Sequence, residues 1–144
     1  MAGSTVMGSF DDFHAISDIC QHYKLWHHVD ACWGGFLAFG KNQDLFKGVN
    51  RADSLSFNPH KGLGVPLQSS YLLINNKPGL LRRAFSTGAS YLFHESESQF
   101  DLGDKTIMCG RHNDALKVWL TFKRHGLSGL SKIADDALLQ ARYL

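Results

Sequence analysis

Two side chains stand where reaction chemistry would need them. Lys61 lies in SFNPHKGLG, residues 56–64, in a turn bounded by Pro59 and Gly62. Asp30 closes the run LWHHVD, residues 25–30. A lysine amine can condense with an aldehyde to form a Schiff base. A carboxylate beside a pyridine ring keeps its nitrogen protonated, so the ring can accept electrons from a substrate α-carbon. A pyridoxal phosphate enzyme needs that pair. The phosphate would need donors, and Asn58, His60, Ser4 and Thr5 carry them. Plainer readings stand beside these. A lysine after a strand is commonly a solvated one, and a carboxylate at a strand end commonly anchors a loop.

The neighbours of Asp30 raise one other chemistry. Alternate strand residues face the same way, so His28, Asp30 and Cys32 share a face that could begin a metal site. No further ligand cluster accompanies them, and no metal is expected. His28 reads better as a packed or hydrogen-bonded histidine. Gly62-Leu63-Gly64 lacks phosphate-loop spacing. Arg111 can be structural or can reach an anion.

Elements must bring Asp30 and Lys61 together. Asp11 and Asp12 are helix-start residues, and Phe13, Ile16, Cys20 and Tyr23 follow at helical spacing. LWHHVDAC reads as a buried strand ended by Gly34-Gly35, and Gln43–Lys47 as a short helix. ADSLSF and SSYLLIN are further strands, the second closed by the turn chemistry of NNKPG. Met1–Ser9 reads as a short strand and turn, and Phe85–Gly103 as a long loop. Ala115, Leu116, Trp119, Leu120 and Phe122 mark a helix stopped by Gly126. Leu130, Ile133, Ala134, Ala137 and Leu138 mark a second, which reads as unfinished at Leu144. Trp26, Trp33 and Trp119 are expected in the core, with Cys20 and Cys109 buried as apolar residues. The order is α/β. Ligands of open α/β sheets bind at the carboxyl ends of strands. If the strands before Asp30 and Lys61 are parallel neighbours, both groups enter one crevice.

Composition narrows the rest. The chain has 144 residues, 44% hydrophobic and 19% charged, enough for a buried core of one domain. A net charge of +2 is too weak to argue for nucleic acid. Three cysteines without a C-x-x-C pair exclude a disulfide framework and fit a reducing, cytoplasmic setting. No apolar run approaches a transmembrane length, and no signal peptide is expected.

HVDACWGG, followed by NRADSLSFNPHKGLGVPLQSSYLL, resembles the group II pyridoxal-dependent amino acid decarboxylases. The branch it is most similar to holds glutamate decarboxylase, cysteine sulfinate decarboxylase and their acidic-amino-acid relatives. AGSTVMGSFD, GASYLF, DLGDK and CGRHNDALKVWL resemble the same branch in the same order. The resemblance implies Lys61 as the Schiff-base lysine and Asp30 as the partner of the pyridine nitrogen. It implies Asn58 and His60 at the phosphate, Thr5 lining the cofactor pocket, and Cys32 against one ring face, where the family usually has alanine. It also implies fold type I, the aspartate aminotransferase fold, with a partial mixed sheet flanked by helices, in a homodimer.

Under that resemblance, residues 1–144 are the central and C-terminal part of the cofactor-binding large domain. The front of that domain, with a ring-stacking histidine and a phosphate-binding turn, lies outside it. So does the small domain with the arginine for the substrate carboxylate. The implied activity is removal of the α-carboxylate of a small acidic amino acid with pyridoxal 5'-phosphate. Phe100 stands where the family usually shows a tyrosine in a mobile loop, and the loop looks shorter. Phenylalanine has no proton to give, so an oxidative deamination outcome is a variant reading. A non-catalytic truncated homologue that pairs with a relative is the alternative of another class.

Overall fold

The computed structural model describes residues 1–89, 102–108 and 110–143. They form two compact units, one of residues 1–75 and 113–144, the other of residues 76–112. The expectations for Phe100 and Cys109 lie outside the described residues.

The first unit opens on a turn with a single bridge, Ala2 to Phe10, in place of the expected strand. Helix α1 follows at Phe13–His22, where the acidic pair placed it. Asp12 caps it: Oδ1 accepts from the Ala15 amide at 3.0 Å. A cap of this kind contributes about 1 kcal/mol. Burying Phe13, at 1% exposure, contributes roughly 1.5–3 kcal/mol, so packing holds α1 more than its cap does. Phe13 packs with Ala2, Val29, Ala31 and Ala52.

Strand β1 is His28–Asp30, β2 is Ser54–Phe57 and β3 is Tyr71–Ile74, in the order β1-β2-β3. β1 and β2 are parallel, with His28 opposite Ser54 and Asp30 opposite Ser56. β2 and β3 are antiparallel, so the sheet is mixed. β1 is shorter than the apolar run suggested, because Leu25 and Trp26 stay exposed ahead of it. Three short 3-10 helices, Gly34–Phe39, Gln43–Phe46 and Val49–Arg51, carry the parallel crossover. Arg51 ties the crossover to α1 through Asp18 at 2.6 Å and Gln21 at 2.9 Å.

α3 spans Asp114–Tyr143 and breaks at Gly126, whose φ of 62° suits glycine, as the stop signal implied. Leu130 and Ala134 of its later part are fully buried. Asp135 accepts from the Lys41 amide at 2.9 Å, fixing that part to the crossover. Leu130 packs with Leu63 and Val65, just beyond the Lys61 turn.

In the second unit, α2 is Leu80–Phe85, a helix for which the sequence offers no expectation except at Phe85, where the long loop is expected to begin. Arg82 pairs there with the buried carboxylate of Asp104. Arg111 donates to the Met108 carbonyl at 2.8 Å, a structural contact within this unit.

The tryptophans correct an expectation. Trp26, Trp33 and Trp119 are 48%, 44% and 56% exposed, because no described element covers them. An indole has a polar edge as well as apolar faces. Trp26 uses its edge on Ser54, and Trp33 and Trp119 offer their faces to Lys61 and Lys123. Cys20 is only partly buried.

His27, beside the strand start, is 5% exposed, with Nδ1 3.0 Å from Ser17 Oγ. Burial pushes its pKa below the usual 6.5, outweighing the opposing pull of Asp53. The folded state thus favours neutral His27. The stability this provides is present above the unfolded value and is lost as pH falls from 6.5 through the folded value. Thermal melting between pH 5 and pH 8, about the ordinary titration range, is expected to fall on the acid side. The double variant His27→Leu/Ser17→Ala is expected to flatten that fall. An equally steep decline in the variant would place the acid sensitivity elsewhere.

Candidate active site

The candidate site lies at the carboxyl ends of β1 and β2. On one face of this pair, His28 and Asp30 stand beside Ser54 and Ser56. Ser54 Oγ lies 2.7 Å from His28 Nδ1 and accepts from Trp26 Nε1 at 2.8 Å. Asp30 Oδ1 accepts from the Cys32 amide at 2.9 Å and from Ser56 Oγ at 3.3 Å. The amide bond is the larger cause, and Ser56 and the Cys32 thiol add to it. Together they hold the carboxyl below its usual 3.8 against the cost of burial. Asp30 is therefore ionised at neutral pH.

Asp30 cannot drift, because its backbone is fixed on both sides. Its carbonyl accepts from the Ala2 amide at 2.7 Å, and the Ala31 amide donates to the Ser56 carbonyl at 2.9 Å. The first of these bonds brings the opening turn, with Thr5, to the end of β1. Thr5 is exposed there, while the Ser4 hydroxyl is engaged by Ser9 at 2.8 Å.

Lys61 sits in consecutive turns beyond β2. Its amide donates to the Asn58 carbonyl at 3.0 Å, and its carbonyl accepts from Gly64 at 3.2 Å. The turn lies flat against Phe36. A Cβ on Gly62 would come 2.0 Å from that ring, which is why glycine follows the lysine. Lys61 Nζ lies 4.7 Å from the centre of the Trp33 ring, a cation–π contact. Cys32 feels both charged groups. Burial and Asp30 push its thiol up, while Ser56 and Lys61 oppose them.

His60 is clamped by Ser69. Its Nδ1 lies 2.6 Å from the Ser69 carbonyl and 3.0 Å from the Ser69 amide. Protonated, that nitrogen donates to the carbonyl; unprotonated, it accepts from the amide. Ser69 Oγ is buried and has no partner among the described residues. Asn58 is half-buried at the start of the same turn. Among the described residues, no group of three or more His, Cys, Asp or Glu is placed to hold a metal. No described helix is long and apolar enough to cross a membrane.

Asp30, Cys32 and Lys61 thus converge, with His60 and Asn58 in the lysine's own turn. Three contributors escaped the sequence reading: Ser56, Trp33 and Ser69. Ser56 had a signal, since strand alternation puts Ser54 and Ser56 on one face. Trp33 and Ser69 had none, because loop geometry places them.

The arrangement suits a group with a reactive carbonyl, a protonated ring nitrogen and an anionic tail. Comparison with known proteins leads the same way. Residues 1–144 match the family model described as the pyridoxal-dependent decarboxylase conserved domain. The chain is 45% identical over 147 aligned residues to human cysteine sulfinic acid decarboxylase, covering 99% of this chain and 30% of that protein. It is 44% identical to human acidic amino acid decarboxylase GADL1, covering 99% of this chain and 28% of that one. The crystal structure of mouse CSAD superposes with a TM-score of 0.88 at 41% identity, over 99% of this chain and 30% of that chain. This chain therefore spans about three-tenths of the length of such relatives. The partial mixed sheet is that of an α/β, fold type I protein.

Proposed function

The chain belongs to the pyridoxal-dependent decarboxylase family, and from that we propose that residues 1–144 form the central and C-terminal part of the cofactor-binding large domain of a carboxy-lyase. The reaction removes the α-carboxylate of a small acidic amino acid, of the glutamate, cysteine sulfinate or aspartate class. The observation that carries this reading is geometric: Lys61 Nζ lies over the ring of Trp33, and the amide of the adjacent Cys32 donates to Asp30.

The residues fit pyridoxal 5'-phosphate on the chemistry of their donors. An amine, an ionised carboxylate, and a buried hydroxyl with no partner among the described residues lie in one set of turns and strand ends. Once bound, the cofactor supplies an aldehyde for a lysine amine and a ring that accepts the electrons left when carbon dioxide departs.

Each side chain then has a task. Lys61 Nζ is the covalent anchor and, when displaced by the substrate amine, a local proton carrier. Trp33 holds Nζ over its ring and limits where the free amine can go. Asp30 keeps a proton on the ring nitrogen through a charge-assisted hydrogen bond. Cys32 would lie against a ring face. His60, with Nδ1 clamped, offers its other nitrogen to the phosphate, with Asn58 beside it and Thr5 at the pocket edge. The protein works as a homodimer in the cytoplasm, like enzymes whose sites lie near a subunit interface.

The complete protein, with whatever chain flanks these residues, is loaded with pyridoxal phosphate and reduced with borohydride. The modified peptide is mapped by mass spectrometry, and carbon dioxide release is measured with glutamate, cysteine sulfinate and aspartate. A pyridoxyl group on Lys61 and release from one of the three are expected. A pyridoxyl group on another lysine, or none in an active enzyme, would overturn the assignment. A loaded protein inert to all three would refute the decarboxylase reading.

A further inference from the structure

Two hydrogen bonds meet on one oxygen of the Asp30 carboxylate. Its Oδ1 takes both the Cys32 amide and the Ser56 hydroxyl. Ser56 is placed there by strand register, directly opposite Asp30. It has a second contact, the Cys32 thiol at 3.3 Å from its Oγ.

The proton order follows from the hydrogen-bond directions. An ionised carboxylate only accepts, so the Ser56 hydroxyl must donate its single proton to Asp30. Ser56 Oγ is then an acceptor toward sulfur, so the thiol must keep its proton and donate. The chain runs Cys32 S–H to Ser56 O–H to Asp30 Oδ1. Burial and the nearby Asp30 charge favour the protonated thiol that this order needs.

We propose that Ser56 is a positioning residue for Asp30: its hydroxyl, oriented by the Cys32 thiol, holds Oδ1 so that Oδ2 is presented to the ring nitrogen of the bound cofactor. The inference rests on the reading of Asp30 as the partner of that nitrogen. With Ser56 removed, Oδ1 keeps only the Cys32 amide, and the carboxylate can rotate about its last torsion. The loss should be felt where the ring carries a nitrogen and not where it carries carbon.

That difference is the test. Cofactor-free complete protein is titrated by equilibrium dialysis with pyridoxal phosphate and with its deaza analogue, in which carbon replaces the ring nitrogen. Ser56→Ala is expected to weaken pyridoxal phosphate about fivefold and the analogue by less than about twofold, the loss of one hydrogen bond to a charged group after partial relaxation. Ser56→Thr keeps the hydroxyl and is expected to restore the wild-type ratio, and thermal melting verifies that each variant is folded. Equal weakening of both ligands, or no weakening of either, would overturn the inference while leaving the Lys61 assignment intact. A wild-type protein that binds both equally, with Lys61 still modified, would remove Asp30 from the nitrogen and Ser56 with it. A wild-type protein that binds neither would overturn the cofactor reading as a whole.

Discussion

Lys61→Ala is expected to abolish carbon dioxide release in the complete protein, by roughly 10³-fold or more, as for removal of a covalent nucleophile elsewhere. The reason is positional as well as chemical. Nζ lies over Trp33, in a turn pressed against Phe36 at Gly62. No other lysine is placed by a comparable set of described contacts beside Asp30 and Cys32. Lys61→Arg is the sharper variant. It keeps a cation for the Trp33 face but offers no amine that can condense, since a guanidinium stays protonated. Arginine is therefore expected to preserve the fold and melting temperature while losing the pyridoxyl label and turnover. Activity above about a tenth of wild type in Lys61→Arg would exceed any plausible residual catalysis and would move the attachment point elsewhere.

Asp30→Asn is expected to leave labelling of Lys61 in place and to lower turnover by about 10²-fold, comparable to loss of one preorganised electrostatic contact. The substitution is nearly isosteric, so Oδ1 can still accept from the Cys32 amide and Ser56. What disappears is the charge, which those same bonds hold in place well into acid. Without it the ring nitrogen loses its proton at neutral pH and the electron sink weakens. Condensation with the aldehyde does not need that proton to the same degree. Absorbance and borohydride labelling should therefore remain near wild type while carbon dioxide release falls. Unchanged turnover would mean that Asp30 does not face the ring nitrogen. Loss of labelling together with turnover would mean that it acts on the lysine or on the fold.

The exposed tryptophans and the shortened β1 show where sequence reasoning overreached. A tryptophan was assigned to the core on hydrophobicity alone, yet its N–H and ring faces found polar partners at the surface. β1 was read from a continuous apolar run, but only His28–Asp30 pairs with β2. A run of apolar residues says that burial is favourable; it does not say how many residues a neighbouring strand can reach. His27 is a related case. Its burial against Ser17 had no signal, because a histidine beside a second histidine in an apolar run has no distinguishing pattern.

What the sequence determined by itself is whatever short-range chemistry decides. Asp12 accepts a bond from an amide three residues on, so the start of α1 was legible. Gly126 can adopt a positive φ cheaply, so the break in α3 was legible. The alternation of ADSLSF and the turn residues of NNKPG act within a few bonds, so β2 and the end of β3 were legible too. The α/β order, and Lys61 and Asp30 as candidates at strand ends, followed from element order and from the residues flanking each; fold type I was implied by the family resemblance. Only the tertiary structure decided that β1 and β2 run parallel in the register that sets Asp30 against Ser56, and that β3 runs the other way. It alone put Trp33 beneath Lys61, Ser69 on His60 and the Cys32 thiol against Ser56. These contacts join residues far apart in the chain. Their geometry is set by which apolar faces can be buried together, and no local stretch of sequence carries that information.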